Sequence, residues 1–215
     1  MSQRLKTTFI ELVSAHWDGT RAAPVTMGDT LEELWQEIAS AYTKRRRYYH
    51  TLHHLDNMLG QLEEVRPLIG RWEVVLFSLY YHDIVYNALW HDNEEKSAQV
   101  AEERMRQLGV DAVAVAACRE QILATRGHAV SPSADTNYFT DADLSILGAE
   151  AAVYDGYARD VRKEYSVYPD IIYKPGRKKV LEHFLAMERI YKTEHFFGRL
   201  EEKARENLRR ELEGR

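Results

Sequence analysis

One window constrains the fold more than any other: "WEVVLFSLYYHDIVY", residues 72–86. Val74, Val75, Leu76, Phe77, Leu79, Tyr80, Tyr81, Ile84 and Val85 cover most of a helix circumference, so the window predicts a helix from about Arg71 to Tyr86 buried on all sides. A helix without a wet face needs neighbours all round it. The rest of the chain offers helical patterns and almost no strand-like alternation. Glu73 and Ser78 interrupt the apolar run, and no stretch reaches the ~20 apolar residues that cross a bilayer.

The neighbours are readable from their caps. A first helix is expected over roughly residues 3 to 16, ending before "WDGTRAAPVTMGD". Thr30 with Glu33 forms a capping box for "LEELWQEIASAYTKR", and a further helix runs from about Tyr48 to Val65, stopped by Pro67. Asp92 with Glu95 opens a helix that Gly109 closes, and Asp111 opens one that Gly127 closes. "HAVSPSADTNYF" reads as a polar loop, with Thr140 and Asp143 capping a short helix after it. "AEAAVYDGYARDVRKEY" is another long helix, and after "SVYPDIIYKPG" two more run from Arg177 to the end. In the last, Leu200, Ala204, Leu208 and Leu212 mark one packed stripe. With no repeat, low-complexity tract or linker, 215 residues predict one all-α domain, a helical bundle.

Composition narrows the function. Hydrophobic residues at 45% and charged residues at 29% suit a globular chain, and a net charge of −5 argues against a general nucleic-acid binder. The single Cys118 allows no intrachain disulfide, and "MSQRLKTTFIELVSAHWDGT" lacks the apolar core of a signal peptide. The expectation is a soluble cytoplasmic protein without membrane contact; a homo-oligomer stays open.

Within the greasy window sit His82 and Asp83. A buried carboxylate is costly unless it is paired or holds a cation; an Arg or Tyr partner is the plain alternative. "RRRYYHTLHHLDNML", residues 45–59, adds His50 and His54 one helical turn apart on one face, with His53 beside His50. Each histidine alone reads as an interfacial polar residue; clustered, their charges would repel. Asp141 and Asp143 stand at the start of "DADLSIL", where Asp141 reads equally as a helix cap and Asp143 looks into the core. Two or three imidazoles plus two carboxylates suit a mid-series divalent ion such as Mn, Fe, Co, Ni or Zn.

The order His54, His82-Asp83, Asp143 resembles the HD superfamily of metal-dependent phosphohydrolases, a helical-bundle fold. "YHTLHHL" is similar to the tyrosine-histidine-asparagine-x-x-histidine-alanine segment of the related cyclic-nucleotide phosphodiesterases, and "ADLS" to the segment giving their last aspartate ligand. "YHTLHHL", "FSLYYHDIVY", "NEEKSA", "DADLSILG" and "VRKEY" look most like a bacterial branch known only as predicted HD phosphohydrolases, over about residues 45–190, with helices 1–44 and 191–215 packed on that core. Thr51 replaces the phosphodiesterase asparagine, and the nucleotide-clamping signature is missing from the C-terminal third, which speaks against cyclic nucleotides.

The resemblance implies His54, His82, Asp83 and Asp143 as ligands, His50 as general acid and Asp83 as holder of the attacking water. Asp141 becomes a support, His128 the candidate for a second ion or a phosphate contact, and Glu94, Glu95 and Ser97 an outer shell. His91 reads rather as a helix-entry residue and His53 as a bystander at the site edge. Among basic residues at 45–47, 162–163, 174 and 177–179, Arg47, one turn before His50 on its face, and Arg162 are the phosphate candidates. The function implied is hydrolysis of a phosphate ester or anhydride of a small metabolite or nucleotide, using one or two divalent ions (Mn, Co, Ni, Fe, Mg or Zn). The alternatives are a di-iron oxygenase of the same scaffold, needing His91 and His128 as ligands, and a non-catalytic metal-stabilised binding protein.

Overall fold

The helix expected to be buried on all sides is so: every residue from Val74 to Tyr81 is inaccessible or nearly so, Ser78 included. In the computed structural model, which describes residues 3–16 and 27–214, this helix is α4 (Trp72–Tyr81). It packs against α1 (Gln3–Ser14), α3 (Leu52–Val65), α5 (Asn93–Gln107), α6 (Ala112–Ala124) and α7 (Ala134–Asp143). The Ser78 hydroxyl is satisfied inside the core by Gln121 Oε1 at 2.7 Å. Burial beside it pushes the Cys118 thiol up to about 12, so the lone cysteine is inert core. α2 (Met27–Tyr42), α8 (Ala151–Glu164), α9 (Asp170–Ala186) and α10 (Glu194–Leu212) complete an all-α bundle with no strand among the described residues. The expected break at residues 17–26 lies outside the described residues.

Several boundaries differ from the sequence reading. α4 stops at Tyr81 rather than Tyr86, so His82 and Asp83 sit at its C-terminal end instead of inside it. The chain turns there because the Val85 N–H donates to the Ser97 hydroxyl on α5 and the Val85 carbonyl accepts from it, while the Asp83 N–H donates to the Tyr42 hydroxyl. α3 begins at Leu52 rather than Tyr48, with Thr51 as its N-cap, so His50 and Arg47 precede the helix and share no helical face with His54. α2 starts at Met27, which puts Thr30 inside it and leaves the expected capping box unformed. Asp92 stands at the N-cap position of α5 without a cap bond; Asp111 caps α6 as expected.

The "HAVSPSADTNYF" loop is half helix. Ser133 caps α7, and its Asp135 accepts the Gly70 and Arg71 amides, tying α7 to the start of α4. α9 begins at Asp170 despite Pro175 inside it, losing one helical hydrogen bond, and only Leu181 of it is buried. On α10 the expected stripe is present, with Ala204 and Leu208 fully buried. The 3-10 segment Leu144–Gly148 lies so close to it that a Cβ on Gly148 would fall 2.6 Å from Leu200 Cβ.

Candidate metal centre

The ends of three helices meet at one point. His54 comes from the first turn of α3, His82 caps the end of α4, and Asp143 is the last residue of α7. One ligand atom of each lies within 4.8 Å of both others, and this group could hold a metal ion. His54 Nε2 is 3.2 Å from His82 Nε2 and 3.2 Å from Asp143 Oδ1. Adjacent donors of an ion with bonds of roughly 2.1 Å stand ~3.0–3.4 Å apart, which these two edges match, while the third, His82 Nε2 to Asp143 Oδ1, is wider at 3.9 Å.

The tautomers fit as well. His82 Nδ1 is 3.0 Å from the Leu79 carbonyl, to which it donates, leaving Nε2 to face His54. Two imidazole nitrogens at that distance need a cation or a proton between them. Burial works against charge on His82, but the Asp83 carboxylate overcomes it and lifts His82 to about 9. Burial, helped by the neighbouring His82 and His50, outweighs the pull of Asp143 and holds His54 below the ordinary histidine value. Burial also opposes ionisation of Asp143, yet hydrogen bonds from His128 and His54 hold it well below the carboxylate range. A proton trapped among these groups is what a divalent ion would replace.

Asp83 and His50 adjoin this group. Asp83 Oδ2 lies 3.2 Å from His82 Nε2 and 3.8 Å from His50 Nε2, so it stands between the two rings. Asp83 is no member of the tight trio, and the observed contacts make it a bridge from the trio to His50. Despite burial, His82 and His50 keep its carboxyl far below the usual range. His128, which takes the left-handed φ of 50° expected of Gly127, brings Nε2 to 2.8 Å from Asp143 Oδ2.

Sequence reasoning missed Glu164, the residue that holds His50. Its Oε1 accepts the amides of Tyr48, Tyr49 and His50, and its Oε2 lies 2.6 Å from His50 Nδ1 and accepts the Tyr86 hydroxyl at 3.0 Å. Burial would raise Glu164, but His50 pulls it down to about 2. Burial likewise lowers His50, and Glu164 with Asp83 reverses this, so His50 stays above its ordinary value. The one signal in the sequence is "VRKEY", where a glutamate ends a helix beside an arginine and a lysine.

Other expected site residues lie elsewhere. Asp141 does not face the centre: it accepts the Lys192 and Thr193 amides and the Thr193 hydroxyl, with Lys192 Nζ at 3.1 Å. Arg47 is buried, donating to the His50 and Ile84 carbonyls over the Tyr42 ring, and so positions the loop instead of meeting phosphate. Arg162 grips Asp170 and the Tyr165 and Tyr168 carbonyls, joining α8 to α9. Glu95 pairs with Arg126, and Ser97 serves Val85. Glu94 alone of that segment's acids lines the cleft, its carboxyl raised by burial. His91 is exposed at the rim, outside the trio, and His53 is exposed against Asn57.

The centre opens into a cleft of about 620 Å³. Tyr49, Tyr86, Tyr157, Tyr165 and Tyr173 line it, with Phe184 from α9. Its arginines are spoken for: Arg177 is held by both oxygens of Glu211, and Arg126 by Glu95 and the His91 carbonyl. No protein-family model, curated protein or solved structure matches the chain.

Proposed function

We propose that this chain is a cytoplasmic metal-dependent phosphohydrolase of the HD type, cleaving a phosphate ester or anhydride of a small metabolite or nucleotide. The observation that carries the reading is the meeting of His54, His82 and Asp143 beside a buried His50–Glu164 pair at the floor of an aromatic cleft. A bound divalent ion would supply Lewis acidity and a water of lowered pKa. Asp83, between His82 and His50, would accept a hydrogen bond from that water and so orient it. His50 carries the opposite role. Its Nδ1–H donates to Glu164, which stabilises the imidazolium and fixes the ring so that Nε2–H can donate to the leaving-group oxygen. The tyrosine walls exclude water and receive the ring or chain of the leaving group, and Tyr86, stacked on His50 at 4.2 Å, limits the ring's tilt.

Elemental analysis of protein purified without added metal tests the reading, with His54→Ala and Asp83→Ala beside the wild type and a phosphatase panel in Mn, Co, Ni and Mg. Metal at about one to two equivalents per chain, lost in His54→Ala, with turnover lost in both variants, is the expected result. Equal metal in wild type and His54→Ala, or none in any protein after reconstitution, would leave the histidines structural.

A further inference from the structure

The segment Ile84–Trp90 is a wall between two cavities. Tyr86, Ala88 and Trp90 line the cleft described above and also a second groove of about 1060 Å³. The other side of that groove is built from Lys44, Arg45, Arg46 and Arg47, with Lys96 from α5. Lys44, Arg45 and Arg46 are exposed and make no side-chain hydrogen bond, ion pair or ring contact among the described residues. That sets them apart from Arg104, Arg126, Arg162, Arg177 and Arg205, each held by a carboxylate.

The two carboxylates lining the groove do not neutralise the run. Glu103 is taken by Arg104 and Gln107, and both oxygens of Glu164 are taken by the His50 loop and Tyr86. Three adjacent cations repel one another, and an anion among them relieves that repulsion. The groove also offers flat apolar surface: Trp90 is 46% exposed and Leu89 47%, and Lys96 Nζ, itself paired with Asp92 at 3.0 Å, sits 3.7 Å over the Trp90 ring. Cations beside a half-exposed indole suit a planar ring joined to several phosphates. A long polyanion is disfavoured, because the basic run is short and the chain as a whole carries −5.

We propose that this groove binds a small ligand with a planar ring and two or more phosphates, of the nucleoside polyphosphate class, and that its occupancy adjusts the neighbouring His50. The link is physical. Buried Arg47 donates to the carbonyls of both Ile84 and His50, at 3.0 and 3.3 Å. Tyr86, on the shared wall, stacks on the His50 ring and donates to the carboxylate that holds it. A ligand pressing on the wall moves both contacts together.

The test is calorimetric titration of ATP and of inorganic tripolyphosphate into the full chain in EDTA, which keeps it independent of metal and turnover and hence of the phosphohydrolase reading. Saturable ATP binding is expected, at least about tenfold weaker in the surface variant Arg45→Glu/Arg46→Glu and unchanged in His54→Ala. Tripolyphosphate should bind more weakly than ATP, and Trp90→Ala should bring ATP down to its level. The His50 imidazole resonances should shift with ATP in the wild type and stay fixed in the charge-reversed variant. Absence of binding up to millimolar ATP, or binding lost in His54→Ala and kept in the charge-reversed variant, overturns the site. Tighter binding of a single-stranded oligonucleotide than of ATP overturns the ligand class, and a static His50 signal at ATP saturation overturns the coupling.

Discussion

Asp141 and Asp143 stand two residues apart on α7 and do opposite work. Asp141 is wholly buried, and its oxygens receive two backbone amides, a hydroxyl and an ammonium, which pin the entry of α10 to α7. Asp143 receives side-chain nitrogens only: His54 at 3.2 Å on one oxygen and His128 at 2.8 Å on the other. A carboxylate filled by amides has nothing left to exchange, since an amide N–H cannot give way to a cation. One faced by imidazoles can trade their protons for a metal ion. Glu164 combines both patterns, with three amides on one oxygen and an imidazole on the other, and so fixes a loop while aiming a ring.

The comparison breaks or holds most visibly in unfolding measurements in EDTA. Asp141→Ala strands the Lys192 ammonium, already lowered by burial, and should remove ~3–5 kcal/mol. Asp143→Ala strands no ammonium and should remove less than Asp141→Ala there, yet abolish metal retention. Equal losses in the metal-free proteins, or metal kept by Asp143→Ala, would show the two aspartates to be alike.

A smaller effect sharpens the intermediate case. Glu164 falls from 4.5 to about 2 on folding, so its contribution is complete above pH 4.5 and lost as pH drops through about 2. His50 rises above 6.5, so its contribution is complete below pH 6.5 and lost as pH climbs through the raised value. The pair is therefore strongest between pH 4.5 and 6.5. Glu164→Gln keeps an acceptor for the amides but loses the charge, and should destabilise the metal-free protein by about 2 kcal/mol at pH 5.5. The deficit should shrink towards pH 9. A deficit that does not change across that range would mean that Glu164 acts on the loop alone.

The helices that bury an apolar face were legible in the sequence, α4 and α10 above all, because periodicity records burial directly. α7 was hidden because it is polar along most of its length and is held by Ser133 and Asp135 rather than by a stripe. The start of α9 was hidden by Pro169 and Pro175, which a largely exposed helix tolerates. At the site, residue chemistry points to His54, His82 and Asp143, but His50 does not share the face of His54 that helical spacing predicts. His50 lies before the helix and arrives through Glu164, a contact across 114 residues that no local pattern encodes. Arg47 and Asp141 carry charge that their geometry turns to holding backbone.

Arg162 gives the finest test of the same distinction between a charge that holds the chain and one that meets a ligand. Its guanidinium is divided between Asp170 and two carbonyls at the junction of α8 and α9, and the Asp170 partner is largely open to water. Exposed pairs of this kind contribute little. Arg162→Ala should lower the melting temperature by at most a few degrees, with metal content unchanged and kcat within about twofold of the wild type on any substrate found. Should kcat fall by more than about tenfold with the melting temperature unmoved, Arg162 would have to leave Asp170 during turnover and reach the phosphate. α9 would then close over the cleft, because the same guanidinium cannot keep its present partners and serve the centre as well.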